Sequence, residues 1–504
     1  MVLLFTPEAM VKSKLRNMQT NSKKAFLLFG ATGDLAQRML FPSLFFLEAD
    51  QFLPEDIVIH GTSRAVLSDA EFRQTTRQNL VRFVGKHFDD AVWQRLANRI
   101  QYHPGDSTKT EVFTKLSQAV ENADELMIYL STSPSLYGDI VRNLSAVGLH
   151  QKNARIIVEK PIGQDLQTSQ QINDVLAASF AEKDIFRIDH YLGKETVQNL
   201  LALRFGNILF EPLWNKASIE SVQISISETG GVGDRWQYYD SFGAMRDMAQ
   251  NHLIQLLCLV AMEPPISADP DAIRDEKVKV LRSLQPITAD NVKTNSVRGQ
   301  YAKGSMDGKA VAGYSEEKDS SESQTETFVA LRAHIDNWRW AGVPFYLRTG
   351  KRMPKRETHI VVQFRDVPHS IFPGNDLIAN KLVIELQPNE EISLSLMNKT
   401  PALLEGGGMQ LSSLPLNLSL SENFKQHTPR RRIAYERLLL AAINNNPTLF
   451  VRRDEVEASW KWVDGIIDGW KETGISPAKY AAGTMGPTSI HELTGKNGHS
   501  WFEG

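Results

Sequence analysis

The sequence predicts two domains of different class: an α/β domain over residues 23–195, then an α+β domain with a large, mainly antiparallel sheet over residues 196–504. Three observations carry this. The chain has 504 residues, more than one hydrophobic core sustains. Its first part alternates short apolar runs with helical periodicity, the pattern of parallel strands joined by helices. Its second part carries many runs of period two without regular helices between them, the pattern of an antiparallel sheet.

Bulk composition narrows the function classes. The chain is 42% hydrophobic and 23% charged with a formal net charge of −3. That gives no reason to expect nucleic acid or anionic membrane as a partner, so any anion site must be local. The single cysteine, Cys258, leaves no intrachain disulfide and suits a reducing cytoplasm. The opening Met1–Phe5 meets Pro7 and Glu8 at once, without the make-up of a signal peptide. Residues 1–22 read as a poorly ordered tail. No apolar run approaches the roughly 20 residues that span a bilayer.

Lys24–Phe29 reads as a buried parallel strand that runs into Gly30-Ala31-Thr32-Gly33-Asp34-Leu35-Ala36. A helical pattern follows through Met39, Leu40, Leu44 and Leu47. Strand, glycine turn and helix make a Rossmann-like dinucleotide site: Gly30 permits the tight turn, Gly33 lets backbone approach a pyrophosphate, and Ala36 allows close helix packing. The helix N-terminus offers N–H groups to phosphate. The motif reads GxxGxxA and not GxGxxG, so a plain structural turn competes with this reading. The next strand, Ile57–His60, leads into Gly61-Thr62-Ser63-Arg64. NAD-selective sites carry a carboxylate at such a strand end. Here Arg64 stands there, and a guanidinium suits a 2′-phosphate, which predicts NADP over NAD. A mere surface charge is the competing reading of Arg64. Glu48 and Asp50, nearer the usual spacing, fall at the end of the helix pattern and read as solvated.

Further strands are predicted at Leu126–Leu130 and Arg155–Val158, with a helix over 137–147 between them. The second leads into Glu159-Lys160-Pro161, where the proline holds its neighbour extended and allows a cis bond. Lys160 would then face the cofactor crevice. A strand over Asp184–Ile188 delivers Asp189, His190, Tyr191 and Lys194 beyond its carboxyl end, on the side of the glycine turn. Such a junction between domains is where a ligand cleft forms.

Beyond residue 195, a helix over Thr196–Phe205 precedes extended runs at 221–227, 327–335, 345–348, 359–364, 381–386 and 391–397. Residues 302–326 read as a long surface loop. Helices are predicted over Ala434–Ile443 and Arg453–Lys471, the latter with Trp460, Trp462 and Trp470, a stripe more often core than cofactor box. The histidines are scattered, with no metal-ligand cluster. The helix from Met245 to Leu257 is apolar enough to be buried, yet carries Asp247, Gln250, Asn251, His252 and Gln255. Buried polar groups are costly unless bonded or useful, which favours a cleft wall. On a regular helix Asp247 and His252 point roughly 140° apart, so both face one ligand only if Asp247 lies near the helix start. Arg348–Arg356 is a basic turn, either a ligand site or a solvated charge run.

A nucleotide fold with histidine, carboxylates and local cations suits hydride transfer from an alcohol, with a histidine near neutral pKa taking the hydroxyl proton and a carboxylate steadying it. Pattern alone leaves His190 and His252 as equal candidates for that base. Gly30–Ala36, Glu159-Lys160-Pro161, Arg187–Glu195, Asp247–His252, Val343–Lys351 and Val451–Glu455 resemble, in this order, the glucose-6-phosphate dehydrogenase family. The resemblance covers nearly all of the chain after about residue 22. It implies oxidation of glucose 6-phosphate at C1 to the lactone with NADP as oxidant, at the entry to the pentose phosphate pathway. It implies His252 as the base, Asp189 as its orienting carboxylate, and His190, Tyr191 and Lys194 as holders of the phosphate. Lys160, Glu228, Asp247, Lys351 and Arg356 match sugar-binding positions; Gly30, Thr32, Gly33, Asp34, Leu35, Arg64 and Lys160 match the coenzyme site. It also implies a homodimer or homotetramer assembled through the second domain's sheet. Leu130-Ser131-Thr132-Ser133-Pro134 departs from the family's more apolar turn. The rival readings are an oxidoreductase of unphosphorylated sugars or inositols and a non-catalytic NADP-sensing protein.

Overall fold

The computed structural model describes residues 22–318, 323–372, 376–401, 409–419, 422, 430 and 432–503. The tail expected over 1–22 therefore lies outside the described residues, apart from Ser22. The chain forms two compact units. One comprises Met1–Lys194, Ala268–Arg274 and His427–Glu457; the other comprises Glu195–Ser267, Asp275–Gln426 and Ala458–Gly504. The boundary expected after residue 195 thus accounts for the first cut alone. Of the two later segments, His427–Glu457 joins the first unit because Tyr435, Leu438, Leu439, Ala442 and Phe450 are built into its core, and Ala268–Arg274 is tied to it by Arg274, whose Nε donates to Phe450 O at 3.2 Å.

The first unit is a seven-stranded sheet. Its strands are β1 (Lys24–Phe29), β2 (Val58–Ser63), β3 (Ile100–Pro104), β4 (Glu125–Leu130), β5 (Ala154–Val158), β6 (Ile185–Ile188) and the short Phe450–Val451. The order is Phe450–Val451, β6, β5, β4, β1, β2, β3, parallel except for the added last strand. Phe26, Leu27, Leu28 and Phe29 are fully buried, as both faces of a central parallel strand require. The order reverses between β1 and β4, the switch point at whose carboxyl end nucleotides bind in open α/β sheets. The second strand runs on to Ser63, so Arg64 is the first residue beyond it. Glu48 is not solvated but buried, paired to Arg95 at 3.0 Å and Arg99 at 3.4 Å, while Asp50 holds Arg432 at 2.7 Å.

The second unit is built on a nine-stranded sheet. Its strands include β7 (Ile219–Ser227), β8 (Ser296–Ala302), β11 (Phe328–Ala333), β12 (Phe345–Gly350), β13 (Glu357–Phe364), β14 (Lys381–Gln387), β15 (Glu391–Lys399) and β16 (Leu411–Ser419), with β9 (Gly304–Met306) and β10 (Lys309–Val311) as a separate hairpin. The sheet runs β16, β15, β14, β13, β7, β12, β11, β8, Ala478–Ala481. Its pairs are antiparallel except β7 with β12 and β8 with Ala478–Ala481. The expected surface loop over 302–326 is corrected: it holds the β9–β10 hairpin and a helix, Tyr314–Lys318, whose Tyr314 is buried. Asp307 and Gly308 both take positive φ, 49° and 75°, as a two-residue hairpin turn requires. Trp460, Trp462 and Trp470 are core residues. Among the described residues no helix is long and apolar enough to cross a membrane.

Candidate active site

The candidate residues fall into two groups, one in each unit. In the first unit the glycine turn closes β1 at the switch point. Gly30 has φ +80°, and a Cβ there would stand 2.2 Å from the carbonyl oxygen of Ser131, beyond the end of β4. Only glycine fits such a turn. Gly30 N and Ala31 N both donate to Thr62 O, at 2.9 and 3.1 Å, and Gly33 N donates to Gly30 O at 2.9 Å. Thr32 Oγ1 donates to Ser63 Oγ at 2.9 Å. Thr32, Asp34 and Arg64 are exposed while Gly33 and Leu35 are half-buried. The helix after the turn opens with a π-helical stretch, Ala36–Leu40, before Phe41–Ala49. A backbone turn stripped of side-chain bulk, next to a helix start and an exposed guanidinium, fits the phosphates of a dinucleotide.

Lys160 follows β5, half-buried, and the Lys160–Pro161 bond is cis. Beyond β6, Asp189 and Tyr191 are buried, while His190 and Lys194 are half-buried. Asp189 Oδ1 accepts from Tyr191 N at 2.9 Å, and its carbonyl accepts from Leu192 N at 3.1 Å. Lys194 Nζ lies 3.3 Å from the centroid of the Tyr191 ring, so an apolar face and a cation are presented together. The His190 and Tyr191 rings meet edge to face at 5.0 Å.

Under this loop lies a cluster that the sequence reading missed. The Glu159 carboxyl is buried and accepts from the hydroxyls of Tyr129 and, at 3.1 Å, Tyr435. Burial raises the Glu159 pKa, against the pull of both tyrosine bonds and of Lys160. The Tyr435 ring is nearly parallel to His190, 7° apart with centroids at 6.5 Å. The cluster thus backs both Lys160 and His190.

In the second unit the polar helix takes an unexpected form. Trp236–Ala244 breaks at Gly243, with φ 68° and ψ 176°, and a π-helix runs over Met245–Leu253 before Ile254–Ala261 continues as an α-helix. Glu326 holds the break: Ala244 N donates to its carbonyl at 2.9 Å and Met245 N to its Oε1 at 3.2 Å. Ile254 N donates to Ala249 O, five residues back. The regular-helix expectation of a roughly 140° separation between Asp247 and His252 is therefore overturned. A wider turn brings positions five apart toward one face, and Asp247 lies in its first turn. His252 is buried and Asp247 half-buried.

Glu228, beyond β7, accepts from Lys351 Nζ at 2.7 Å, beyond β12. Neighbouring parallel strands in register, Gly350 opposite Ser227, bring the two side chains together. Lys351 Nζ also stands 5.1 Å from the ring centroid of buried Tyr239. Burial first, then Asp247, Glu326 and Glu228, raise the Tyr239 pKa well above its ordinary value. Tyr239 is a second residue the sequence reading missed. Arg356 lies exposed in the basic turn.

Comparison with known proteins shows the family. Residues 27–199 match the model described as glucose-6-phosphate dehydrogenase, NAD binding domain, and residues 201–502 match the glucose-6-phosphate dehydrogenase C-terminal domain. The chain is 50% identical over 488 residues to glucose-6-phosphate 1-dehydrogenase of Zymomonas mobilis, covering 96% of this chain and 100% of that one. It is 48% identical over 481 residues to the enzyme of Rhizobium meliloti, covering 94% and 97%. A solved glucose-6-phosphate dehydrogenase in complex with its substrate glucose-6-phosphate is similar with a TM-score of 0.87 at 36% identity, covering 96% of this chain and 100% of that chain. This chain therefore belongs to the glucose-6-phosphate dehydrogenase family.

Proposed function

We propose that this chain oxidises β-D-glucose 6-phosphate at C1 to 6-phospho-D-glucono-1,5-lactone, with NADP as hydride acceptor, the first step of the oxidative pentose phosphate pathway. The observation that carries this reading is the match of both family domains, in order, over residues 27–199 and 201–502. When bound, NADP supplies the electrophilic carbon that accepts the hydride. Gly30, Thr32, Gly33, Asp34, Leu35, Arg64 and Lys160 hold it. His252 takes the C1 hydroxyl proton as the hydride leaves, and Asp189 orients the imidazole and steadies its positive charge. His190, Tyr191 and Lys194 hold the 6-phosphate by charge-assisted hydrogen bonds. Lys160, Glu228, Asp247, Lys351 and Arg356 hold the sugar. The Lys351–Glu228 pair and the contacts of the Tyr191 ring with His190 and Lys194 support these roles. The test is turnover of glucose 6-phosphate against glucose with NADP, read at the reduced-nicotinamide absorbance. Equal rates on both sugars would overturn the phosphate-holding roles, and no rate on either would overturn the enzyme reading.

We further propose a homodimer, or a tetramer of such dimers, in the cytoplasm. Leu414, Leu416 and Leu418 lie exposed along β16, opposite Leu396, Leu394 and Ile392 of β15. Such an apolar sheet face calls for a partner. Light scattering should show a dimer or larger for the chain, and Leu416→Glu should weaken it.

A further inference from the structure

A hydroxyl chain ties the glycine turn to the bend that carries Arg64. Thr32 Oγ1 donates to Ser63 Oγ at 2.9 Å, and Ala65 N donates to the same oxygen at 3.3 Å. Ser63 Oγ lies 2.7 Å from the hydroxyl of Tyr102, on β3. The Tyr102 hydroxyl donates to Ala65 O at 2.7 Å, the shorter of its two carbonyl contacts, with Ser63 O at 3.3 Å. A phenol has one proton; with that proton on Ala65 O, Ser63 must donate to Tyr102. The direction is then fixed throughout: Thr32 to Ser63, Ser63 to Tyr102, Tyr102 to the Ala65 carbonyl.

The phenol itself is held firmly. Its ring stacks on Phe72, with centroids 4.4 Å apart and planes 16° apart, and Tyr102 N donates to Asp69 Oδ1 at 2.7 Å. Burial raises its pKa, so the hydroxyl keeps its proton. Ser63 and Ala65 are thus anchored on both sides of Arg64, which is itself exposed. Among the described residues no hydrogen bond or ion pair involves the Arg64 guanidinium. A long side chain loses rotamer and backbone freedom when it binds. Fixing its two neighbours beforehand removes part of that cost.

We propose that Tyr102 is a positioning residue for coenzyme selection: it holds the Ser63-Arg64-Ala65 bend so that Arg64 meets the 2′-phosphate that distinguishes NADP from NAD. This rests on the reading of Arg64 as the 2′-phosphate partner. Tyr102→Phe tests it, because the ring and its stacking on Phe72 remain while the hydroxyl goes. The primary measurement is calorimetric binding of NADP+, of NAD+ and of the probes adenosine 2′,5′-bisphosphate and ADP to the full chain. Steady-state kcat and KM for both coenzymes accompany it. The Kd for NADP+ and for adenosine 2′,5′-bisphosphate should rise about three- to tenfold, the equivalent of one net hydrogen bond. The values for NAD+ and ADP should stay within about twofold, and kcat with NADP should be unchanged. Ser63→Ala, which cuts the chain from the other side, should act in the same direction, and the double variant should lose less than the product of the two.

Equal weakening of both coenzymes would mark Tyr102 as merely structural and overturn the proposal, as would no change in either. Arg64→Ala separates the two levels. If it leaves NADP+ affinity unchanged, the Arg64 reading falls and the Tyr102 role falls with it. If it weakens NADP+ while Tyr102→Phe does not, only the Tyr102 role falls.

Discussion

Tyr435→Phe removes a single hydroxyl from the buried cluster under His190 and Lys160, and its effect should depend on pH. The ring beside His190 stays in place, while Glu159 Oε1 loses its 3.1 Å bond and keeps the one from Tyr129. A hydrogen bond to a neutral carboxyl is worth about 0.5–1.5 kcal/mol and one to a charged carboxylate about 1.5–3 kcal/mol. Burial raises the Glu159 pKa in the folded state, and the Tyr435 bond acts to lower it. A carboxyl raised in this way stabilises the fold fully below its unfolded pKa and loses that contribution as pH rises through the folded pKa. Without the Tyr435 hydroxyl the folded pKa climbs further, so the loss grows at the alkaline end. The variant should therefore be destabilised by about 1 kcal/mol where the carboxyl is protonated and by about 2 kcal/mol where it is charged, compared at two pH values, one acid and one alkaline. Urea unfolding of wild type and variant at both pH values measures this, from midpoints at constant m. An equal shift at the two pH values would refute the argument that Glu159 titrates in this cluster, and no shift would refute the cluster's contribution. Tyr435→Ala, which also removes the ring beside His190, should raise KM for glucose 6-phosphate as well.

Three further outcomes follow from the geometry. His252→Asn should lower kcat by roughly 10²–10⁴-fold, the range for losing a general base, with KM little changed; an unimpaired kcat would exclude His252 as the base. Gly243→Ala places a Cβ 2.3 Å from Glu326 Oε1 at φ +68°, a backbone strain of about 1–3 kcal/mol before the clash is counted. Its urea midpoint should fall by at least that equivalent, and an unchanged midpoint would show that the break before the π-helix is not needed. His60, 3.1 Å from His103 through Nδ1, has its pKa lowered to about 4 by burial, then by His103, with Asp69 acting the other way. The unfolded chain takes that proton near pH 6.5, so the contribution is complete above this value and is lost as pH falls toward 4, by about 3 kcal/mol in total. His60→Asn should flatten the acid limb of the stability profile, and an unaltered slope between pH 6.5 and 4 would remove His60 from it.

What could be read from the sequence follows how each feature is encoded. Central strands such as β1 and β4 are legible because burial on both faces demands an unbroken apolar run. By contrast β3, β16 and Ala478–Ala481 went unread. β3 mixes buried Ile100 and Tyr102 with Gln101 and His103 and ends in a proline, and all three lie at sheet edges, where one neighbour imposes less pattern. The chain over 434–443 is legible as a helix, but nothing local shows that it completes the first unit. The contiguous candidates, Asp189 to Lys194, are legible as a group because one loop carries them. Glu159 and Tyr435 are not, being 276 residues apart and joined only by the fold. The helix bearing Asp247 and His252 is the most instructive case. Its polar residues were visible, and their burial pointed to use, but periodicity near 3.6 assumes the very geometry that fails here. The chain breaks regular winding at Gly243, caps the new start with Glu326 from a distant segment, and winds wider through His252. A one-dimensional period cannot report a widened turn that a side chain some eighty residues on helps to hold.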